Sequence, residues 1–132
     1  MKFNLPIYYT IHKKKKANKT ILVGMNWYRN AHYQESNEVK KHYHNLIKLK
    51  THNQKPKEII SKYQVSYRLF YKNPATDMMN VVACIDKFMN DGLIKAGVVI
   101  DDNVGVYRKV TAEVGWQDRD TPRIEVEVKE ME

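Results

Sequence analysis

Hydrophobic and polar residues alternate strictly at the start of the chain, where Phe3, Leu5, Ile7, Tyr9 and Ile11 are spaced two apart. Period two predicts a half-buried strand, and Pro6 within it suggests an edge position or a bulge. Lys13-Lys14-Lys15-Lys16 follows as a solvated loop, since four adjacent ammonium groups do not share a folded face. A short extended piece, Thr20 to Val23, leads into the Gly24–Asn30 segment. From about Ser36 to His52 the period becomes helical. Val39, Tyr43, Leu46 and Lys50 fall on one side, and Ile47 and Leu49 widen it. Pro56 lies in the loop that stops this helix. The clearest alternation comes next: Ser61, Tyr63, Val65, Tyr67, Leu69 and Tyr71 on one face, with Phe70 interrupting the polar side.

Asn73-Pro74 reads as an N-cap and first-turn proline, opening a helix that runs to about Ala96 and stops at Gly97. Its apolar arc holds Met78, Val81, Val82, Ile85, Phe88, Met89 and Leu93; a narrow opposite arc holds Asp77, Asn80, Cys84, Lys87 and Asp91. Val98-Val99-Ile100 forms a buried strand or turn closed by Asp101-Asp102-Asn103. Two alternating runs finish the chain, with Val104, Val106, Val110, Ala112 and Val114 expected inward in the first, and Ile124, Val126 and Val128 in the second. The order predicts a single α/β (α+β) domain over residues 1–132: a mixed sheet of about four to five strands with two main helices packed on it.

Composition narrows the class. At 132 residues the chain can bury a core without staples, and its single cysteine, Cys84, rules out a disulfide framework and suits a reducing compartment. Cys84 reads as a packing residue. No apolar run approaches the ~20 residues of a membrane span, and the N-terminus lacks the apolar core of a signal peptide. Charge changes the picture more. Lys and Arg number 23 against 15 acids, a formal net charge of +8, which steers the chain toward a polyanion such as nucleic acid.

Two patterns carry candidate chemistry. The polar stripe on the second helix sets acids, an amide and a lysine on one side, the oxygen-rich mixture a hard cation such as Mg²⁺ takes. Asp77 has a structural use as well, because an acid in the first helical turn offsets the macrodipole. Asp101-Asp102-Asn103 makes a good turn, and it also presents two carboxylates beside buried neighbours, as a phosphodiester-cleaving metal centre requires. The five histidines lack zinc-type spacing, and no glycine-rich phosphate loop is present.

Asp77-Met78-Met79-Asn80, Asp86-Lys87 through Asp91-Gly92-Leu93, Lys95-Ala96-Gly97 and Asp101-Asp102 together resemble the RusA family of Holliday-junction resolvases of bacteria and their phages. Lys87 stands four residues before Asp91, as in the family's helix; residues 77–103 carry the specific match, and Asn26, Tyr28 and Arg29 agree more loosely. The resemblance implies a Mg²⁺-dependent endonuclease (Mn²⁺ as a substitute) that resolves four-way junctions and other branched DNA in recombination and repair. Asp77 and Asp102 would hold the ion and Lys87 would act near the scissile phosphate. Where many members carry a second acid this chain has Met79, so Asp101, Asp91 or Asn80 would complete the set. The near two-fold junction implies a homodimer, since a chain with a radius of gyration of about 14 Å cannot grip four arms. Lys13, Lys14, Lys15, Lys16, Lys19, Arg29, Lys40, Lys41, Arg68, Lys72, Arg108 and Lys109 are the expected backbone contacts, Arg108 because it breaks an apolar strand face. The expectation includes the cytoplasm of a bacterium or phage-infected host, no membrane and no small-molecule cofactor. A junction-binding protein that has lost its metal site is the alternative.

Overall fold

A computed structural model describes residues 1–132. In chain order the elements are β1 (Lys2–Pro6), β2 (Tyr8–Ile11), β3 (Lys19–Leu22), α1 (Met25–Asn30), α2 (Tyr33–Thr51), β4 (Tyr63–Tyr71), α3 (Met78–Lys95), β5 (Tyr107–Gln117) and β6 (Arg123–Glu130). The α+β class holds, with a four-stranded mixed sheet in the order β1-β6-β4-β5 and a separate β2-β3 hairpin. β4 pairs antiparallel with β6 and parallel with β5, and the chain between β4 and β5 contains α3. No helix is long and apolar enough to cross a membrane.

The core lies between the sheet and its helices. Phe3 and Leu5 of β1, Ile124, Val126 and Val128 of β6, and Tyr63, Val65, Tyr67 and Leu69 of β4 are all buried on one face. Over them pack Val39, Tyr43 and Ile47 of α2 and the expected apolar arc of α3, every member of which is buried except half-buried Met78. Each such side chain contributes about 1.5–3 kcal/mol of transfer free energy. Helix α3 is covered on two sides, by the sheet and by α1 and α2. Gly92 marks the closest approach to α2, where a Cβ would sit 2.7 Å from Ile47 Cδ1. Phe88 touches both Tyr28 and Tyr43 rings, at 5.6 and 5.7 Å.

The fold departs from the sequence-based expectation at several points. The first strand is two, because the chain leaves the sheet at fully buried Ile7, and Val23 donates its N–H to Ile7 O. Helix α2 starts at Tyr33, earlier than the periodicity implied, because the His32 imidazole accepts from Gln34 N and caps it. On that helix Leu49 points to solvent and Thr51 is buried instead. Asn73-Pro74 forms a turn, Asn73 Oδ1 accepting from Ala75 N, and Asp77 caps α3. Gly97 does end α3, in the left-handed region at φ 72°. Phe70 is buried on the sheet's other face, with the Trp116 ring 4.6 Å away and the Arg123 guanidinium 4.1 Å above it. The largest departure concerns β5 and the turn before it: Val104 in the turn and Val110 and Val114 on the strand, expected inward, are 85%, 51% and 53% exposed. Helix α3 covers β4 and reaches β5 only at its start, so the rest of that edge strand has nothing above it.

The double coverage of Phe88 predicts that Phe88→Ala lowers unfolding stability by about 3–5 kcal/mol in urea titrations, far more than the same change at exposed Trp116.

Candidate functional site

Helix α3 runs antiparallel to β4, a direction fixed by two polar ties. The Tyr63 hydroxyl donates to Asn90 Oδ1 at 2.6 Å, and the Tyr67 hydroxyl donates to Asp86 Oδ1 at 2.5 Å. Tyr107 of β5 donates to the same Asp86 oxygen at 2.7 Å, and its ring stacks on Tyr63 with centroids 4.8 Å apart. Burial raises the Asp86 carboxyl above its ordinary range, while the tyrosine and Asn90 hydrogen bonds oppose that rise and the charge of Asp102 adds to it. Burial, then the charge of Asp86, pushes the Tyr107 phenol well up. This cluster is absent from the sequence-based candidates. Its signal was legible: Asp86 and Asn90, four apart, lie together at the edge of the apolar arc, next to Val82 and Leu93.

The antiparallel course separates the expected metal ligands. Asp77 caps the first turn of α3, Oδ1 accepting from Met79 N and Asn80 N at 3.1 and 3.3 Å. Asp101 and Asp102 follow the other end, next to the bridge that joins Val99 to Ile60 ahead of β4. Eighteen helical residues lie between, a span of about 27 Å at 1.5 Å per residue. Lys87 stands ten residues beyond Asp77, about 15 Å along the axis, with its ammonium 5.8 Å from the Tyr28 ring centre. No group of three His, Cys, Asp or Glu side chains within the chain could hold a metal ion. One chain therefore does not assemble the set Asp77, Asp91, Asp101 and Asp102.

Each of those residues has a local setting. Asp101 is spent on its turn, accepting from Asp102 N at 2.8 Å and from Asn103 Nδ2 at 2.9 Å. Asp102 is exposed, and its carboxylate makes no hydrogen bond or ion pair. Asp91 faces α2, sharing a recess with Lys40, His44 and Lys95. Burial lowers the His44 imidazole, the Lys95 charge lowers it further, and Asp91 opposes both. Asn80 is structural, its Oδ1 accepting from Asn26 N at 2.8 Å and its amide filling the space above Gly24. Cys84 is fully buried, and burial pushes its thiol up to about 12. Of that stripe, Cys84 is buried as expected of a packing residue, Asn80 and Asp91 are half-buried against α1 and α2, and Asp77 and Lys87 are exposed. The acid stripe and the Asp101-Asp102 turn do not converge.

Basic charge is unevenly distributed. Residues 1–72 hold sixteen basic side chains and three acids, whereas residues 73–132 hold seven and twelve. Lys13 to Lys16 occupy the exposed turn of the β2-β3 hairpin, and Lys40 and Lys41 lie on α2, where Lys41, Lys48 and Lys95 line a second recess. None of the six lysines at 13–16, 40 and 41 forms an ion pair, and neither do Arg29 and Lys109. Others are engaged: Lys19 with Glu35 at 3.4 Å, Arg68 with Glu113 at 2.7 Å, and Lys72 above the Tyr8 ring at 5.7 Å. Arg108 sits where the β4-β5 register shifts and donates to Val104 O at 3.2 Å. Comparison with protein-family models and with curated proteins finds no match for this chain.

The Asp86 setting generates a signed pH prediction. A carboxyl with a folded pKa above its unfolded value of 3.8 binds a proton more tightly in the native state, so its contribution falls as pH rises through that window. Asp86→Asn should gain stability relative to wild type between pH 3 and pH 7. Thermal melts of both proteins across that range check this; a difference that is flat or opposite in sign refutes it.

Proposed function

We propose that the protein is a RusA-like, divalent-cation-dependent endonuclease acting on branched DNA. The observation that carries the reading is the continuity of residues 77–103. The residues of the resemblance lie on one unbroken unit, from the Asp77 cap through Lys87 on α3 to the Gly97 turn and the free carboxylate of Asp102. The unengaged lysines of the hairpin and α2 support a polyanionic substrate, since such groups displace condensed counterions from phosphates.

The chemistry assigned to this chain's own side chains is limited. Lys87 offers a positive charge to a phosphate approaching the α1-α3 side, where Tyr28 lies beneath its ammonium. The hairpin lysines and Lys40, Lys41 and Arg29 orient the strands by backbone charge and carry no sequence preference. A divalent cation would activate water and polarise the phosphate, yet a single chain does not bring its proposed ligands together.

Two observations favour the second reading, a junction-binding protein that does not cut. Met79 is 55% exposed where the family pattern has an acid, and the acids of one chain stand apart.

Incubation with a labelled four-way junction and Mg²⁺ or Mn²⁺ should yield paired nicks. Asp102→Asn should abolish them while leaving junction affinity within about twofold, and Lys87→Ala should slow them at least tenfold. Binding without cutting under either cation rejects the nuclease, and cleavage gained on Met79→Asp then identifies a decayed site. Replacing Lys13 to Lys16 by alanine should lower the slope of log affinity against log salt by about 0.9 for each phosphate no longer neutralised.

A further inference from the structure

Beside the close approach of α2 and α3 at Gly92 lies a recess of about 330 Å³, lined by Lys41, His44, Asn45 and Lys48 of α2 and by Gly92 and Lys95 of α3. Lys41, His44 or Asn45, and Lys48 follow one another at spacings of three or four, so α2 presents them as one stripe. Lys95 stands three residues past Gly92. The missing side chain at Gly92 lets Ile47 of α2 approach the α3 backbone, which brings lysines of both helices to one space.

Two features of this recess have no explanation within the fold. The Nε2 atom of His44 is buried without a hydrogen-bond partner, whereas buried polar groups are almost always paired. The three ammonium groups of the rim are exposed, form no ion pair and face no acid among the residues lining the recess. An adjoining recess shares His44 and Lys95 and adds Lys40 and Asp91, so four lysines face one acid across the two. The carbonyl end of α3, which repels anions, is covered here as well: Lys55 Nζ donates to Ala96 O at 2.7 Å.

An anion answers both features, accepting from an Nε2–H of His44 and offsetting the repulsion among the lysines. Its chemistry follows from the donors. No arginine lines either recess, and it is the guanidinium fork that matches a planar carboxylate. Ammonium groups act as rotatable point charges and suit a tetrahedral phosphate. The β2-β3 hairpin rests on the preceding turns of α2, where Tyr9 donates to Glu38 at 2.8 Å and packs on the His42 ring at 4.9 Å. The recess therefore continues along α2 the basic surface that carries Lys13 to Lys16. We propose that Lys41, His44, Lys48 and Lys95 form a phosphate-binding recess between α2 and α3, and that the phosphate it holds belongs to a nucleic-acid strand. Lys95 stands eight residues beyond Lys87, about 12 Å along the axis, so this phosphate is a different one from that assigned to Lys87. The strand as its source rests on the branched-DNA reading; the phosphate site itself does not.

Pyrophosphate is the small probe. Titrated into the wild-type chain, it should shift the His44 imidazole signals in proton–nitrogen correlation spectra, saturably and ahead of the other four histidines. Lys41→Gln, Lys48→Gln and Lys95→Gln combined should abolish that shift. Lys50→Gln, Lys57→Gln and Lys62→Gln combined remove the same charge from exposed positions outside the recess and should preserve it. His44→Leu should weaken pyrophosphate binding about fivefold, the loss of one hydrogen bond. A four-way junction and a plain duplex should each displace pyrophosphate from His44. The recess variant should bind the junction about tenfold more weakly than the control variant at the same salt. No shift at His44, a shift that persists in the recess variant, or its loss in the control variant overturns the phosphate site. Pyrophosphate that neither DNA displaces upholds the site and overturns the strand as its source, leaving a free phosphate ester. Phosphate binding at His44 in a protein that never cuts upholds the recess and removes the nuclease; cutting without any shift at His44 does the reverse.

Discussion

The antiparallel docking of α3 across β4 is the constraint on which the rest of the molecule depends. It is held by apolar contact from Val81 to Leu93 and pinned in register by Tyr63 to Asn90 and Tyr67 to Asp86. Apolar contact alone is non-directional and would tolerate a slide along the sheet; hydroxyl-to-amide and hydroxyl-to-carboxylate bonds in a low-dielectric interior do not. The shared oxygen of Asp86 extends the lock to β5 through Tyr107. A buried carboxylate costs solvation, and its neighbours offset that cost only while all three partners are in place.

That lock determines where polar groups can and cannot meet. Because α3 traverses the sheet once, its cap at Asp77 and the turn at Asp101-Asp102 fall at opposite ends. Because it is covered by α1 and α2 on its other side, Cys84 and Asp91 are drawn away from solvent and toward those helices. The face left over is the flank above β5, where Val110 and Val114 are about half exposed. The basic hairpin and α2 lie in the part of the chain that precedes β4, and acids outnumber basic side chains only after residue 72.

Much of this was readable in the chain. Period two marked β4, β6 and the start of β1, period 3.6 marked α2 and α3, and Gly97 marked the end of α3, because each depends on residues within a few positions of one another. The caps were less legible. Asn73-Pro74 has the chemistry of a helix start and became a turn, since Asp77 could accept two N–H groups closer to the first buried residue. Short α1 left no periodic trace over six residues. On the candidate site the sequence named Asp77, Lys87 and Asp102 without their separation, and the structural role of Asp86, at the edge of the apolar arc, stood unread.

Sequence alone determined the class, the two main helices, the core strands and the excess of positive charge, all of which follow from local spacing and composition. Only the tertiary structure decided which side of α3 is wet, which strand ends the sheet, and which acids lie near one another. Those are questions of direction and long-range register: a helix of known length can cross a sheet either way, and an alternating strand buries its apolar face only if a neighbour covers it. Val110 and Val114 belong to the same kind of alternating run as Val126 and Val128, and what separates their fates is position in the sheet.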